Sequence, residues 1–244
     1  MERQKVANLL LTTIAVQLSI VIFLIMTPPK PDISVKGLAI AQRSYVALES
    51  RNKQNQAVTR ASGVRLNGKF ILSCAHIFKD GERVFSEGEM LQLTSLDKER
   101  DLALFKINAI EDSAPIVMVA QSVSRGEGVF DCSNADGNSG TVNFYLVKYS
   151  NDEILHLDKP IIPGESGAGI FNSGGKLIGV YAATQRVFFI TQPENFVNYG
   201  LAIGPKTLVE FLSGVHDKDF DKYYTQAVVQ TWFDRIMWRF YPLM

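Results

Sequence analysis

The chain has 244 residues, 46% of them hydrophobic and 20% charged, which is enough for one domain of about 150 to 200 residues with further segments around it. Its 25 basic and 25 acidic residues balance, and no basic cluster interrupts the sequence, which excludes an electrostatic surface for nucleic acid. Neither the Cys/His spacing of a zinc site nor a Gly-rich phosphate loop occurs, so we expect no metal and no cofactor.

Residues 7–26 form an uncharged apolar segment. At about 1.5 Å per residue, a helix of this length reaches across the roughly 30 Å hydrocarbon core of a bilayer. Signal-peptide cores are usually shorter, and no small-residue cleavage site follows closely. The segment predicts an uncleaved membrane anchor over residues 1–27, with a cleaved signal peptide and a buried helix as the alternatives.

The charges before this segment predict its orientation. Arg3, Lys5 and the terminal amine favour a cytoplasmic N-terminus. We therefore expect a single-pass membrane protein whose main domain lies on the non-cytoplasmic side, which is the periplasmic side in a bacterium. Three prolines within residues 28–36 predict a stiff, extended linker between the anchor and this domain.

The central part of the chain, from residue 37 to about 203, consists of short β-rich runs separated by turns. Many short strands without helical patterns between them predict an all-β barrel or sandwich. The strands predicted most clearly are 70–72, 91–93, 102–107, 128–132, 141–148, 177–182 and 187–191.

Three residues in this region have the chemistry of a hydrolase: His76, Asp101 and Ser166, the last within the glycine-rich stretch PGESGAG at 163–169. A serine hydroxyl is a weak nucleophile, and it needs a histidine to accept its proton and a carboxylate to orient the imidazole. An α/β-hydrolase would need a histidine after the serine, and the one that follows, His216, lies in a charged stretch typical of a solvated tail.

These residues and the segments around them resemble those of a trypsin-like (chymotrypsin-fold) serine protease, and within that family the HtrA-type branch. The resemblance implies two six-stranded Greek-key β-barrels in a protease domain over residues 37–215. A PDZ domain, which HtrA-type relatives commonly carry, is not expected, because residues 216–244 are too few to form one. The similar segments follow in order at 61–64, 68–73, 96–104, 125–130, 134–137, 175–180, 199–203 and 205–212.

By this resemblance Ser166 is the nucleophile, His76 the general base and then general acid, and Asp101 the residue that orients His76. The backbone N–H groups of Gly164 and Ser166 would form the oxyanion hole. A pocket for the residue before the cut would have a small, apolar lining that favours small or aliphatic side chains. Its expected lining residues are Leu157, Asp158, Lys159, Pro160, Ala182, Ala183 and Thr184.

The serine loop departs from the family pattern at Glu165 and Ala168, where the family usually has Asp, Asn or Thr and Gly. Ala168 lies beyond the oxyanion position, so we expect it to be tolerated. In relatives with an aspartate before the serine, that carboxylate pairs with an amine freed by cleavage. Here the terminal amine precedes a hydrophobic segment, so we expect no zymogen cleavage.

Two cysteines, Cys74 and Cys132, lie on strands that the resemblance assigns to the same N-terminal barrel. Free buried thiols are the favoured interpretation. A disulfide between the two cysteines is the alternative, and it would require their Cα atoms to lie within about 7 Å of each other.

Residues 216–244 repeat apolar side chains every four residues, which predicts an amphipathic helical tail. Packing on the protease domain, contact with the membrane surface and self-association remain open for it.

The sequence as a whole predicts a membrane-anchored serine endopeptidase that cleaves protein or peptide substrates through an acyl-enzyme. The alternative is a membrane-tethered pseudoprotease that binds a protein partner. A third interpretation is a protease whose oxyanion loop is ordered only by a partner or by the membrane.

Overall fold

The computed structural model describes residues 33–79, 82–108, 114–189 and 192–224. For residues 184–189 and 192–198 it describes the backbone alone. Within these residues the fold is mostly β. The elements are α1 Val35–Ser44, β1 Tyr45–Arg51, β2 Ala57–Arg65, β3 Phe70–Cys74, a 3₁₀ turn Ala75–Ile77, β4 Arg83–Ser86, β5 Glu89–Met90, β6 Gln92–Asp97, β7 Leu102–Lys106, β8 Gly128–Ala135, β9 Asn138–Ser150, β10 Ile154–Leu157, β11 Gly169–Asn172, β12 Leu177–Phe189, β13 Gln192–Ile203 and α2 Pro205–Ser213.

The first seven strands form one antiparallel sheet in the order β5-β4-β1-β2-β3-β7-β6. The prediction of a six-stranded barrel here is corrected, because the stretch from Glu89 to Asp97 is divided at Leu91 into β5 and β6, which become the two edges of the sheet. Leu91 belongs to neither strand: its side chain is buried in the core of this sheet, and its N–H donates to Val84 O on β4 at 2.8 Å.

The remaining six strands form a closed barrel in the order β10-β13-β12-β11-β8-β9, which confirms the prediction of a six-stranded barrel for this half.

The hairpin between β8 and β9 turns at Asp136 and Gly137, with φ of 48° and 80°. Positive φ at both central residues suits the right-handed twist of the two strands, and Asp and Gly are the residue types that adopt it most readily.

Each sheet has its own apolar core, and a third core lies between them. Along β1 buried residues alternate with half-buried ones, so Val46 and Leu48 point to the interior of the first sheet. Side chains of both halves, including Phe70 and Phe130, fill the shared core. The two halves therefore meet over a packed apolar interface, which fixes the loops at the junction relative to one another.

Two helices flank the strands. The helix predicted over 205–212 is present as α2, with Pro205 at its first turn, where a missing N–H costs nothing. Helix α1 was not predicted. Its N-cap is Ser34, whose Oγ accepts a hydrogen bond from Gly37 N at 2.9 Å, so it begins inside the stretch expected as an extended linker.

The start of the tail packs on the domain. Residues 218–224 are helical up to the end of the described part. Phe220 is 1% exposed and meets Phe70 edge to face at 5.1 Å, and the Tyr223 hydroxyl donates to Val117 O at 2.6 Å. For these residues, packing on the β domain is what the structure shows. The rest of the predicted tail helix, residues 225–244, lies outside the described residues.

The predicted anchor, residues 7–26, also lies outside the described residues, so its membrane insertion stays a prediction. Among the helices that the structure does describe, none has the length and apolar character that a bilayer crossing requires.

Replacing Phe220 with alanine tests whether the start of the tail belongs to the core. We expect Phe220→Ala to lower the free energy of unfolding by about 3 to 5 kcal/mol, the usual cost of removing a buried phenylalanine. Urea unfolding measures this. Phe144→Ala is the matched control, because the Phe144 side chain is 54% exposed, and it should cost less than half as much. Equal losses of unfolding free energy in the two variants would show that the buried contact of Phe220 with Phe70 does not stabilise the domain more than an exposed phenylalanine does.

Candidate active site

His76 and Asp101 form a hydrogen-bonded pair at the end of the first sheet. His76 lies in the 3₁₀ turn directly after β3, and its Nδ1 is 2.7 Å from Asp101 Oδ2. The backbone N–H of His76 donates to the other carboxylate oxygen at 2.8 Å. Because the carboxylate accepts from Nδ1–H, the neutral imidazole keeps its lone pair on Nε2, which is the atom that a general base uses.

Asp101 is held by the turn between β6 and β7. Asp97 Oδ1 accepts from the N–H groups of Glu99 and Arg100 at 3.0 and 2.9 Å, which closes the turn. Asp101 itself has a φ of 58°, a left-handed conformation that aspartate tolerates better than most residues. Its carbonyl accepts from Ala75 N at 3.0 Å, which joins this turn to the one that carries His76.

The electrostatics of the pair suit acid–base catalysis. The hydrogen bond to Asp101 raises the pKa of His76 above its usual value, and partial burial of the ring opposes this. The carboxylate therefore stabilises the imidazolium, the species that forms when His76 takes a proton.

Ser166 lies in the loop between β10 and β11, and this loop presses against the first sheet. Ser62 N donates to Ser166 O at 2.8 Å, and Ser62 Oγ donates to Gly164 O at 2.7 Å. A Cβ at Gly167 would lie 2.0 Å from Ser73 Oγ, so only glycine fits there. Since Ser73 precedes His76 by three residues, the structure brings the serine loop to the strand that leads into the histidine.

The loop leaves two backbone donors unused. The N–H groups of Glu165, Gly167 and Ala168 donate to backbone carbonyls, at 2.8 to 3.1 Å. Those of Gly164 and Ser166 donate to no group in the described part of the chain. They are the two donors predicted for the oxyanion hole, and both remain available for a ligand.

The third predicted contact, between Ser166 and His76, is not made. Among the described residues, no hydrogen bond joins the Ser166 hydroxyl to the imidazole. His76 Nε2 instead lies 3.6 Å from the sulfur of Cys74. A thiol is a weak donor, so this contact competes only weakly with a serine hydroxyl for the same nitrogen.

The two cysteines are free and buried, as favoured from the sequence. Their assignment to one barrel is corrected: Cys74 lies on β3 of the first sheet and Cys132 on β8 of the closed barrel, so a disulfide between neighbouring strands is not formed. Burial raises the pKa of the Cys74 thiol well above its usual range and that of Cys132 to about 12. Both are protonated near neutral pH, which makes them poor nucleophiles.

In the described part of the chain, ligand atoms of Cys74, His76 and Asp101 lie within 4.8 Å of one another, a grouping that metal sites also show. The Asp101 oxygens already accept hydrogen bonds from His76, however, and the Cys74 sulfur is a buried, protonated thiol. Metal ligation requires the thiolate, so the cluster fits acid–base chemistry better than it fits a metal.

The two predicted walls of the substrate pocket lie on either side of Gly200. Leu157 on β10 and Thr184 on β12 both pair with Gly200 on β13. A Cβ at Gly200 would lie 2.7 Å from the carbonyl oxygen of Lys159, so the space between the walls depends on this glycine.

The walls differ in their exposure to a substrate. Leu157 is fully buried in the barrel core, whereas Asp158 and Pro160 are exposed and Lys159 is partly buried. Ala182 is half-buried and Ala183 exposed, and both present only a methyl group. The predicted lining thus combines small apolar side chains with the charged side chains of Asp158 and Lys159, and its use as a substrate pocket stays a prediction.

The carboxylate of Glu165, next to Ser166, is completely buried and bound on both oxygens. Oε1 accepts from Lys159 Nζ at 2.6 Å and from Asn143 Nδ2 at 3.3 Å, and Oε2 accepts from Ile162 N at 3.0 Å. Burial raises the pKa of Glu165, and the Lys159 ammonium opposes that rise. The partner that the sequence left unassigned for Glu165 is thus a lysine six residues earlier in the chain.

A cleft of about 600 Å³ opens beside the serine loop. It is lined by residues 57–60 at the start of β2, by Asp136 and Gly137 in the β8–β9 turn, and by Pro163 and Gly164. Gly164, one of the two residues with an unused N–H group among the described residues, therefore forms part of the wall of this cleft.

An open sheet and a closed six-stranded barrel that share a core are the arrangement of the chymotrypsin-like fold, and here the His–Asp pair and the glycine-rich serine loop lie at their junction. Residues 61–180 match the family model of the trypsin-like peptidase domain. The resemblance inferred from the sequence is confirmed.

Solved structures with this fold include HtrA-type proteases. The serine endoprotease from Yersinia pestis is 22% identical, with a TM-score of 0.58 over 72% of this chain and 63% of its own. The HtrA-type protease AlgW, solved with a tripeptide, is 21% identical, with a TM-score of 0.57 over 72% of this chain and 60% of its own. The chain thus spans less than two thirds of these proteins. A search of curated proteins finds no match.

Three residues of the site were not assigned their roles from the sequence: Ser62 and Ser73, which clamp the serine loop, and Lys159, which pairs with Glu165. The two serines gave no signal, because serine is common in strands and turns. The ion pair between Lys159 and Glu165 was indicated by one feature of the sequence, because a carboxylate in a tightly packed glycine-rich loop needs a cation within reach.

Replacing Asp101 with asparagine tests the electrostatic coupling. Because the carboxylate raises the pKa of His76, Asp101→Asn should shift the titration of His76 to lower pH. NMR titration of the imidazole Cε1–H measures the shift, with the signal assigned by its loss in His76→Gln. An unchanged midpoint would mean that the pair is not formed in solution.

Proposed function

We propose that the chain is a serine endopeptidase that hydrolyses peptide bonds through His76, Asp101 and Ser166. The observation that carries this proposal is the His76–Asp101 pair, which leaves Nε2 as the basic atom, beside a loop that offers Ser166 and two unused N–H groups. The trypsin-like peptidase domain at 61–180 supports it independently.

In the proposed reaction, His76 Nε2 removes the proton of the Ser166 hydroxyl as the oxygen attacks the scissile carbonyl. The imidazolium that results is stabilised by Asp101, and the N–H groups of Gly164 and Ser166 stabilise the negative oxygen of the tetrahedral intermediate. His76 then donates its proton to the leaving amine, and water hydrolyses the acyl-enzyme. A rotation of the Ser166 or His76 side chain must bring the two together first, because the described structure lacks that hydrogen bond.

A preference for small or aliphatic residues before the cut is part of the proposal. Ala182 and Ala183 give one wall its small side chains. The charge of Lys159 on the opposite wall is taken up by the buried Glu165, so it is not free to attract an acidic side chain. The substrates are thus proposed to be proteins or peptides with an uncharged residue at this position.

Labelling with a fluorophosphonate tests the proposed activity, because the reagent reacts only with a serine that is activated as a nucleophile. We expect the wild-type chain to be labelled and Ser166→Ala to be unlabelled, since removal of a catalytic serine typically lowers turnover by about 10⁶-fold. Ser133→Ala is the control, because Ser133 is a completely buried serine on β8 and not part of the proposed site.

The alternative function is that of a pseudoprotease that binds a protein partner without cutting it. The contact of His76 Nε2 with Cys74 rather than with Ser166 favours it. Labelling separates the two functions: a wild-type chain that stays unlabelled with and without membranes contradicts the endopeptidase. If Cys74→Ala then becomes labelled, the thiol contact is what blocks the site.

We also propose that residues 7–26 anchor the protein in a membrane, with the peptidase domain on the non-cytoplasmic side. The apolar, uncharged composition of the segment and the charges at Arg3 and Lys5 support this.

Extraction of membranes with alkaline carbonate tests the anchor. The full chain should stay in the membrane pellet, and the double substitution Val16→Asp with Leu18→Asp should release it, because each charge at the centre of a spanning helix costs about 2.5 to 3.5 kcal/mol. Val35→Asp is the control, since Val35 is 87% exposed on α1. Release of the wild-type chain by carbonate would contradict the proposal.

A further inference from the structure

We propose that the ion pair between Lys159 and Glu165 positions the serine loop, so that Lys159 couples the substrate pocket to the oxyanion donors. The inference rests on the proposed endopeptidase function and assigns Lys159 and Glu165 as positioning residues, since neither touches the reacting atoms. Four observations carry it: the burial of the carboxylate, its place in the loop, the anchoring of the lysine and the second acid beside them.

Burial makes the pair obligatory. The Glu165 side chain is 0% exposed, and its Oε1 lies 2.6 Å from Lys159 Nζ, whose side chain is 22% exposed. A carboxylate in such a place must be paired, protonated or moved out to water. Without the ammonium, the Glu165 side chain has to leave its site or take up a proton, and either change weakens the contacts that hold it, because the hydrogen bonds from Ile162 N and Asn143 Nδ2 then lose a charged acceptor in this place.

The position of Glu165 transmits this to the backbone. Glu165 lies between Gly164 and Ser166, the two residues whose N–H groups are unused. Its own N–H donates to Ile162 O at 3.1 Å, while its carboxylate accepts from Ile162 N at 3.0 Å, so the side chain closes the turn that leads into the donors. Any displacement of this side chain rotates the peptide groups on both sides of it.

The lysine is fixed at the other end. Lys159 O accepts from Gly200 N at 2.6 Å, which ties its backbone to β13 between the predicted pocket walls. Its ammonium lies 5.5 and 5.6 Å from the ring centres of Tyr145 and Tyr181, within the range of cation–π contacts. The cation therefore sits at a defined point of the pocket wall.

A second buried acid makes the single ammonium more important. Asp131 is 0% exposed, and its Oδ2 lies 3.7 Å from Lys159 Nζ. Asn143 bridges the two acids, because its Nδ2 is 3.1 Å from Asp131 Oδ1 and 3.3 Å from Glu165 Oε1. Loss of Lys159 would therefore leave two buried carboxyl groups facing each other, and Glu165, which is on a loop rather than a strand, is the one that is able to move.

The test compares four chains: the wild type, Lys159→Met, the double variant Lys159→Met with Glu165→Gln, and Lys159→Arg. Each is treated with a peptidyl valine phosphonate, a reagent that phosphonylates the serine, and the limiting rate and the half-saturating concentration are measured separately. Thermal unfolding monitors folding. Lys206→Met is the matched control, because it breaks the 2.6 Å ion pair of Lys206 with Glu153, which is exposed and joins α2 to the start of β10.

We expect Lys159→Met to lower the limiting rate by about 10² to 10³-fold, the usual effect of losing one oxyanion donor, with little change in the half-saturating concentration. Lys159→Arg keeps the cation. Its limiting rate should stay within about ten-fold of the wild type, a smaller loss than that caused by removing one oxyanion donor. Lys206→Met should match the wild type in rate and in binding.

The double variant decides the case in which Lys159→Met does not fold. It removes the charges of Lys159 and Glu165 and leaves Asp131 with its hydrogen bond from Asn143, so it should fold. It should still react slowly, because the ion pair no longer holds the turn at residue 165. A double variant that reacts at the wild-type rate would overturn the inference, since the pair would then serve only to compensate buried charge. A wild-type chain that does not react at all contradicts the proposed function instead.

Discussion

The close approach of the serine loop to strands β2 and β3 is the constraint on which the rest of the site depends. Gly167 leaves no room for a Cβ against Ser73, and Ser62 binds both the carbonyl of Gly164 and that of Ser166. These contacts join a loop of the closed barrel to the strand of the open sheet that ends at His76. The packed core between the two halves supports that junction, so the candidate site lies where the two halves of the fold meet.

Charge at this junction is arranged in two separate pairs. One, between His76 and Asp101, is partly open to solvent and is therefore able to exchange protons with a substrate. The other, between Lys159 and Glu165, has a completely buried carboxylate and a lysine side chain that is 22% exposed. The same kind of interaction thus stands in two environments: the exposed pair is able to exchange protons with solvent, whereas the buried carboxylate depends on its lysine.

Local features of the fold were predictable from the sequence, and long-range ones were not. Helix α2 and the strand before His76 have clear local patterns, as does the hairpin at Asp136. The division at Leu91 depends on which way one side chain turns into the core, and the bond between Ser62 and Gly164 joins residues 102 positions apart. The His76 and Asp101 partnership was predicted because two motifs in order imply it, whereas the Ser166 contact depends on side-chain rotation that no motif records.

The packing of residues 215–224 also sets where the domain can be shortened. Phe220 and Tyr223 belong to the core shared by the two halves, and Asp217 pairs with Lys106 on β7. A chain cut after residue 215 would uncover Phe70 and leave Val117 O without its hydrogen bond. A shortened chain for expression and crystallisation therefore needs to keep Phe220 and Tyr223.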